Sequence, residues 1–285
     1  MFSPVIFWPW FAGLMVLAAG LAAAWKAVSA ARGIEKLIAL GPVFYAAPLA
    51  TFGAEHLSIP RSISQAVPPW MPAPMFWIYL VGVALIAAAL SIALRIYTHW
   101  SAPLLGIMFV SFVFMIHIPN VVANPNDRIL WAVALRDLSF AGGAFALAAT
   151  WTKYLRSVAK LFVSLPLLFF AAEHFLHPRF APGVPLAKMT PNWVPIPAFW
   201  GILTGAALLA SGATMLVARS ENRIAKCAHL TATLLGLLIA LLVLFLYLPI
   251  FLTAAPPAML EGVNYVFDTL LFGGTVLLAA TLFPS

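Results

Sequence analysis

The stretch AHLTATLLGLLIALLVLFLYLPIF, residues 228–251, decides the class of fold, because it runs for 24 residues without an Asp, Glu, Lys or Arg. A helix rises about 1.5 Å per residue, so about 20 apolar residues cross the roughly 30 Å of hydrocarbon in a bilayer. No water is available there to satisfy backbone N–H and C=O groups, and a run without strand-like alternation must satisfy them as a helix. Working outward, eight further runs have the same character. The nine spans lie near residues 5–25, 38–57, 75–96, 102–120, 129–150, 159–176, 198–218, 228–251 and 262–283. Over all 285 residues, 64% are hydrophobic and 8% charged, with a mean hydropathy of +1.04. Soluble domains carry about 25% charged residues. The sequence therefore reads as an all-α, polytopic membrane helical bundle of about nine transmembrane helices.

The first run, Val5 to Trp25, is preceded by no Lys or Arg and is longer than a signal-peptide core, so it reads as a retained helix. Pro42, Pro48 and Pro166 fall inside the second and sixth spans, where neighbouring groups in a membrane bundle can re-satisfy the freed carbonyls. A single cysteine, Cys227, excludes an internal disulfide and CxxC chemistry. The formal charge of +7 is no nucleic-acid signature here, because the basic residues gather in alternate loops. Lys26, Arg32, Lys36, Arg95, Lys153, Arg156, Lys160, Arg219, Arg223 and Lys226 occupy the odd-numbered loops; Arg61, Arg128, Arg136, Arg179 and Lys188 lie in or beside the even ones. The positive-inside rule then puts the N-terminus outside and the C-terminus inside, with the lipid bilayer as partner and nucleic acid excluded.

The chain repeats itself. FGAEHLSIPR at 52–61 matches FAAEHFLHPR at 170–179, and PPWMPAPMFW at 68–77 matches PNWVPIPAFW at 191–200. In the same order, Gly82 pairs with Gly205, Pro119 with Pro249, Asp137 with Asp268, and Gly142–Gly143 with Gly273–Gly274, with small insertions in the second copy. The expected organisation is an N-terminal helix and loop (1–37) followed by two four-helix repeats, 38–152 and 153–285. An even number of helices per unit makes the two repeats parallel, related by an axis along the membrane normal. All the matched motifs except the Gly pairs then fall toward the extracytoplasmic side. The Gly residues read as sites of close helix packing.

Ionisable groups inside a membrane helix cost about 2.5–3.5 kcal/mol on insertion scales, so each needs a partner or a purpose. Glu55-His56 and Glu173-His174 stand at the outer ends of the second and sixth spans. One reading is a pair of quasi-equivalent polar sites, with His as proton carrier, Glu as its orienting partner, and Arg61 or Arg179 clamping an oxyanion. The other is a Glu–Arg ion pair closing each helix end. His117 and its counterpart Tyr247 suit either a hydrogen bond to a ligand carbonyl or one to a Pro-broken helix end. Asp137, beside Arg136, and Asp268 lie about two turns into their helices, and Arg61 or Arg179 is their expected partner through tertiary packing. Glu173, His174 and His177 share a helical face as a partial metal set, but Ile59 replaces the third ligand in the first copy and no haem spacing exists, so no metal is assigned. Trp70, Trp77, Trp193 and Trp200 read as interfacial anchors, with an aromatic lid as the alternative.

The Glu-His…Pro-Arg element, the segment PPWMPAPMFWIYLVG and the Arg136-Asp137…Gly142-Gly143 helix resemble DoxX-like membrane proteins over residues 40–283. Those are four-helix units, and this chain resembles two of them fused behind an extra helix. The family takes its name from a subunit of a thiosulfate:quinone oxidoreductase, while more distant relatives resemble cargo receptors or assembly chaperones. The resemblance implies a bacterial inner-membrane protein, with quinone as ligand and a partner protein as associate. Two functions follow: a quinone-binding, redox-linked subunit, or a non-enzymatic receptor, chaperone or assembly factor. A small-solute transporter is a weaker third, and the residues leave open whether the chain is an enzyme. Walker A, dinucleotide, His-Glu-x-x-His and Gly-x-Ser-x-Gly motifs are all absent from the sequence.

Overall fold

A computed structural model describes residues 3–183, 188–219 and 223–284. Among the described residues, nine helices are long and apolar enough to cross a membrane, the architecture of an integral membrane protein. They are α1 (Pro4–Ala30), α2 (Glu35–Ser58), α3 (Pro74–Leu94), α4 (Thr98–Ala123), α5 (Arg128–Ala148), α6 (Leu155–Leu176), α7 (Pro197–Val217), α8 (Arg223–Leu252) and α9 (Pro256–Ala280). All nine expected spans are present. Their ends move by a few residues where helix continues past the apolar run: α1 carries Lys26, and α6 begins early enough to carry Arg156. Long basic side chains tolerate this, because their stems cover apolar surface while the charged head reaches out.

Pro42, Pro48 and Pro166 sit inside unbroken helices. Pro119 and Pro249 have a larger effect. Each follows a one-turn π segment, Val113–His117 in α4 and Val243–Tyr247 in α8. Proline supplies no N–H to the carbonyl four residues back and crowds it. Widening the preceding turn re-routes those bonds without exposing polar backbone to lipid. A second recurrent geometry opens α3 and α7. Ala73 (φ 52°) and Ile196 (φ 48°) both adopt the left-handed conformation just before the helix. The following Trp closes each turn, with Trp77 Nε1 donating to the Pro72 carbonyl at 2.9 Å and Trp200 Nε1 to Pro195 at 3.0 Å. Left-handed backbone is rare for a β-branched residue, so the turn at Ile196 is held by its surroundings.

The helix packing keeps its form when the two four-helix sets are exchanged. In the first set α2 packs on α3, α3 on α4 and α4 on α5; in the second α6 packs on α7, α7 on α8 and α8 on α9. The last helix of each set packs on the first helix of the other, α5 on α6 and α9 on α2, while α5 and α9 touch between them. The glycine pairs make these crossings close. A Cβ on Gly143 would lie 2.9 Å from the Tyr45 ring, and one on Gly274 would strike the Tyr45 backbone nitrogen. Tyr45, fully buried at this crossing, satisfies its hydroxyl by donating to the Phe140 carbonyl at 2.7 Å. Helix α1 lies outside the two sets, packed mainly along α2.

Candidate functional site

A cavity of about 1060 Å³ opens among α2, α3, α4, α5, α9 and the segment leading into α3. Its walls are apolar, built from side chains such as Phe52, Met71, Trp77, Met108, Phe109 and Phe112. Six of the residues singled out from sequence converge on it: Glu55, His56, His117, Arg136, Asp137 and Asp268. Asn264, Tyr265 and Glu261 of α9 join them. The site is therefore built mostly from the first helix set and completed by one helix of the second.

The polar residues form a connected line. The widened turn in α4 brings His117 Nε2 to 2.8 Å from Asp137 Oδ2. Arg136 Nε lies 3.8 Å from Asp137 Oδ1, and its Nη1 donates to Asp268 Oδ2 at 2.8 Å. Asp137 is nine residues beyond Arg128 at the start of α5, which places it about 13 Å along the helix. Charge at that depth is tolerated where it is paired, as Asp268 is with Arg136 and Asp137 is with His117 and Arg136. The buried Asn264 Oδ1 has no hydrogen-bond partner among the described residues.

Glu55 and His56 are adjacent on a helix and so point about 100° apart. Glu55 is buried, at 7% exposure, and borders the cavity with Asn264. His56 holds its Nδ1 at 2.7 Å from the Phe52 carbonyl oxygen. A carbonyl only accepts, so Nδ1 carries the hydrogen. Nε2 of the neutral ring then presents a lone pair, and it has no partner among the described residues.

In the second helix set the aligned residues are closed off. His174 Nδ1 stands 2.6 Å from the Phe170 carbonyl oxygen, and its Nε2 accepts from the Gly183 N–H at 3.0 Å. Tyr247, the counterpart of His117, donates from its hydroxyl to the Pro182 carbonyl at 2.6 Å. These two bonds use the two ends of a single peptide group, Pro182–Gly183. His174 and Tyr247 are 3% and 1% exposed. Described residues after His177 make this possible: Phe180 and Met189 form an antiparallel bridge, with Ala181 N–H donating to the Lys188 carbonyl and Thr190 N–H to that of Arg179. Gly183 adopts φ 120°, a conformation that favours glycine. Glu173 is taken by Arg128, whose Nη1 donates to Oε2 at 2.8 Å while its guanidinium lies 4.6 Å from the centre of the Phe180 ring.

Several expectations are corrected by this geometry. Arg61 and Arg179 are exposed and make no side-chain ion pair among the described residues. They follow Pro60 and Pro178, past the ends of α2 and α6, and Glu173 and Asp268 are met by Arg128 and Arg136 instead. Glu173, His174 and Tyr247 lie outside the cavity, so in place of a pair of quasi-equivalent polar sites the first helix set holds an open one and the second a closed one. His177 packs beside Phe180, ring centres 5.6 Å apart, and no group of three or more potential metal ligands occurs among the described residues. Trp70, Trp193 and Trp200 are exposed, as anchors would be, whereas Trp77 forms part of the cavity wall.

Sequence reading missed Arg128, Asn264 and Tyr265. Arg128 follows Asp127, which caps α5 by accepting from the Ile129 and Leu130 N–H groups at 2.8 and 3.4 Å. That leaves Arg128 to Glu173, 45 positions away. Asn264 and Tyr265 meet the cavity only through the crossing of α9, which no local pattern announces.

A site with a long apolar wall, a cluster of acids around Arg136, and His56 Nε2 without a protein partner among the described residues is suited to an amphipathic molecule, its head among the polar groups and its tail along the aromatic and Met side chains. Residues 45–142, which supply most of this cavity, match the model of a family described as a domain of unknown function (DUF8561). No curated protein and no solved structure matches the chain.

Proposed function

We propose that the protein is a quinone-binding, DoxX-like subunit of the bacterial inner membrane, with its N-terminus outside and its site toward the extracytoplasmic side. The observation that carries this reading is the cavity of about 1060 Å³, apolar along its walls and polar around His56, His117 and Arg136. A quinone head is a flat, uncharged ring with oxygens at opposite ends, and its prenyl tail needs an apolar channel of this kind. The excess of Lys and Arg in the odd-numbered loops supports the orientation. Redox linkage would run through a partner protein that exchanges electrons with the bound quinone.

Organic extracts of the gently purified full chain, read by mass spectrometry, test the proposal. Stoichiometric quinone in the wild type, depleted in His56→Ala, is the expected result. A chain that never carries quinone but co-purifies with a protein would move the assignment to a receptor or assembly factor.

A further inference from the structure

Resting on the quinone-binding reading, we infer that the cavity selects a head group that donates a hydrogen bond to His56 Nε2, and so takes the hydroxyl-bearing quinol in preference to the carbonyl-only quinone. The second helix set supplies the template. There the equivalent imidazole, His174, is fixed on both sides: Nδ1 faces the Phe170 carbonyl oxygen and Nε2 accepts from the Gly183 N–H. A carbonyl cannot donate and an amide N–H cannot accept, so His174 is the neutral Nδ1–H tautomer. His56 repeats the first of these bonds at 2.7 Å, to the carbonyl of the residue four positions earlier, as His174 does. Its Nε2 is therefore an acceptor as well, and the position that Gly183 N–H fills in the second set is left to whatever enters the cavity.

The Pro182–Gly183 peptide group is thus an internal substitute for a ligand. It donates at one end to His174 and accepts at the other from Tyr247. A quinol has a hydroxyl at each end of its ring and so offers a donor to His56 while its second oxygen lies among the other polar groups. A quinone has no donor and would leave the Nε2 lone pair desolvated and unpaired, which disfavours it. The filled second site also fixes the count at one ligand per chain.

Equilibrium binding to the full chain in lipid nanodiscs, under anaerobic conditions, tests this with three probes of matched shape: a decyl-substituted benzoquinol, the corresponding benzoquinone, and the quinol di-O-methyl ether. The quinol should bind once per chain. The quinone and the ether should bind about tenfold more weakly, the equivalent of one lost hydrogen bond. In His56→Phe the quinol should lose this advantage, and in His56→Gln, which keeps an acceptor, it should regain part of it. Equal binding of all three probes to the wild type overturns the donor requirement and leaves quinone binding standing. Two quinols per chain overturn the filled second site. If none of the three binds, the quinone-binding reading itself fails, and this inference with it.

Discussion

Arg136 on α5 donates from Nη1 to Oδ2 of Asp268 on α9 at 2.8 Å, joining residues 132 positions apart. The same guanidinium lies beside Asp137, so one cation stands between two acids that occupy matched positions in the two helix sets. Replacing Arg136 with Met should destabilise the fold by about 3–5 kcal/mol, because it leaves Asp137 and Asp268 facing each other without their cation. The double change Arg136→Met with Asp268→Leu should recover much of that loss. Denaturation of the three proteins in matched detergent decides it, and an Arg136→Met chain as stable as the wild type would show that the bridge does not hold the helix sets together.

His56 and His174 occupy aligned positions and should respond oppositely. His56→Ala should deplete bound ligand with little change in unfolding, since its Nε2 has no protein partner among the described residues. His174→Ala strands the buried Gly183 N–H. It should lower stability by about 1–3 kcal/mol, the cost of an unmet buried donor, while ligand yield stays near the wild-type level. The check is ligand content and melting measured on the same preparations.

Arg128 and Glu173 couple α5 to α6 through a bond of 2.8 Å in which the acid side chain is 8% exposed. A double-mutant cycle with Arg128→Ala and Glu173→Ala should return a coupling of about 0.5–3 kcal/mol. Because one partner is buried, raising the salt concentration should weaken that coupling less than it would a surface pair. Strictly additive single changes would rule the contact out as a link between the helix sets.

Gly273 and Gly274 are neighbours with different surroundings. A Cβ on Gly274 would meet Tyr45 backbone, which cannot turn aside, whereas on Gly273 it would lie 3.0 Å from a methyl carbon of Ile239, the end of a side chain that can shift. Gly274→Ala should therefore cost about 1–3 kcal/mol by overpacking, and Gly273→Ala distinctly less. Thermal melting of the two variants orders them, and a reversed order would contradict the α2–α9 crossing described here.

All nine helices were legible in the sequence, because burial in hydrocarbon demands long runs with few or no charges whatever surrounds them. The short matched motifs also led to His56, His117, Asp137 and Asp268, since a polar group in such a run stands out against its background. The pairing of charges was not legible. Arg61 and Arg179 are closest in sequence to the glutamates, yet the long helices end before reaching them; Arg128 meets Glu173 and Arg136 meets Asp268 from other helices, while Glu55 has no ion pair among the described residues. Nor did the motifs reveal that their second copy is sealed: that depends on where the inserted residues after His177 fold, and the identical Glu-His dipeptides carry no trace of it.

The widened turn before Pro119 has one further consequence. A π turn accommodates one residue more than regular helix, so closing Val113–His117 back to regular helix at the same length would rotate the helix on one side of it by about 100° relative to the other. The composition, hydropathy and number of spans would be essentially unchanged, yet His117 would no longer face Asp137. Whether His117 meets Asp137 in a chain of this type is thus a matter of phase, set by the width of one helical turn that no measure of hydrophobicity registers.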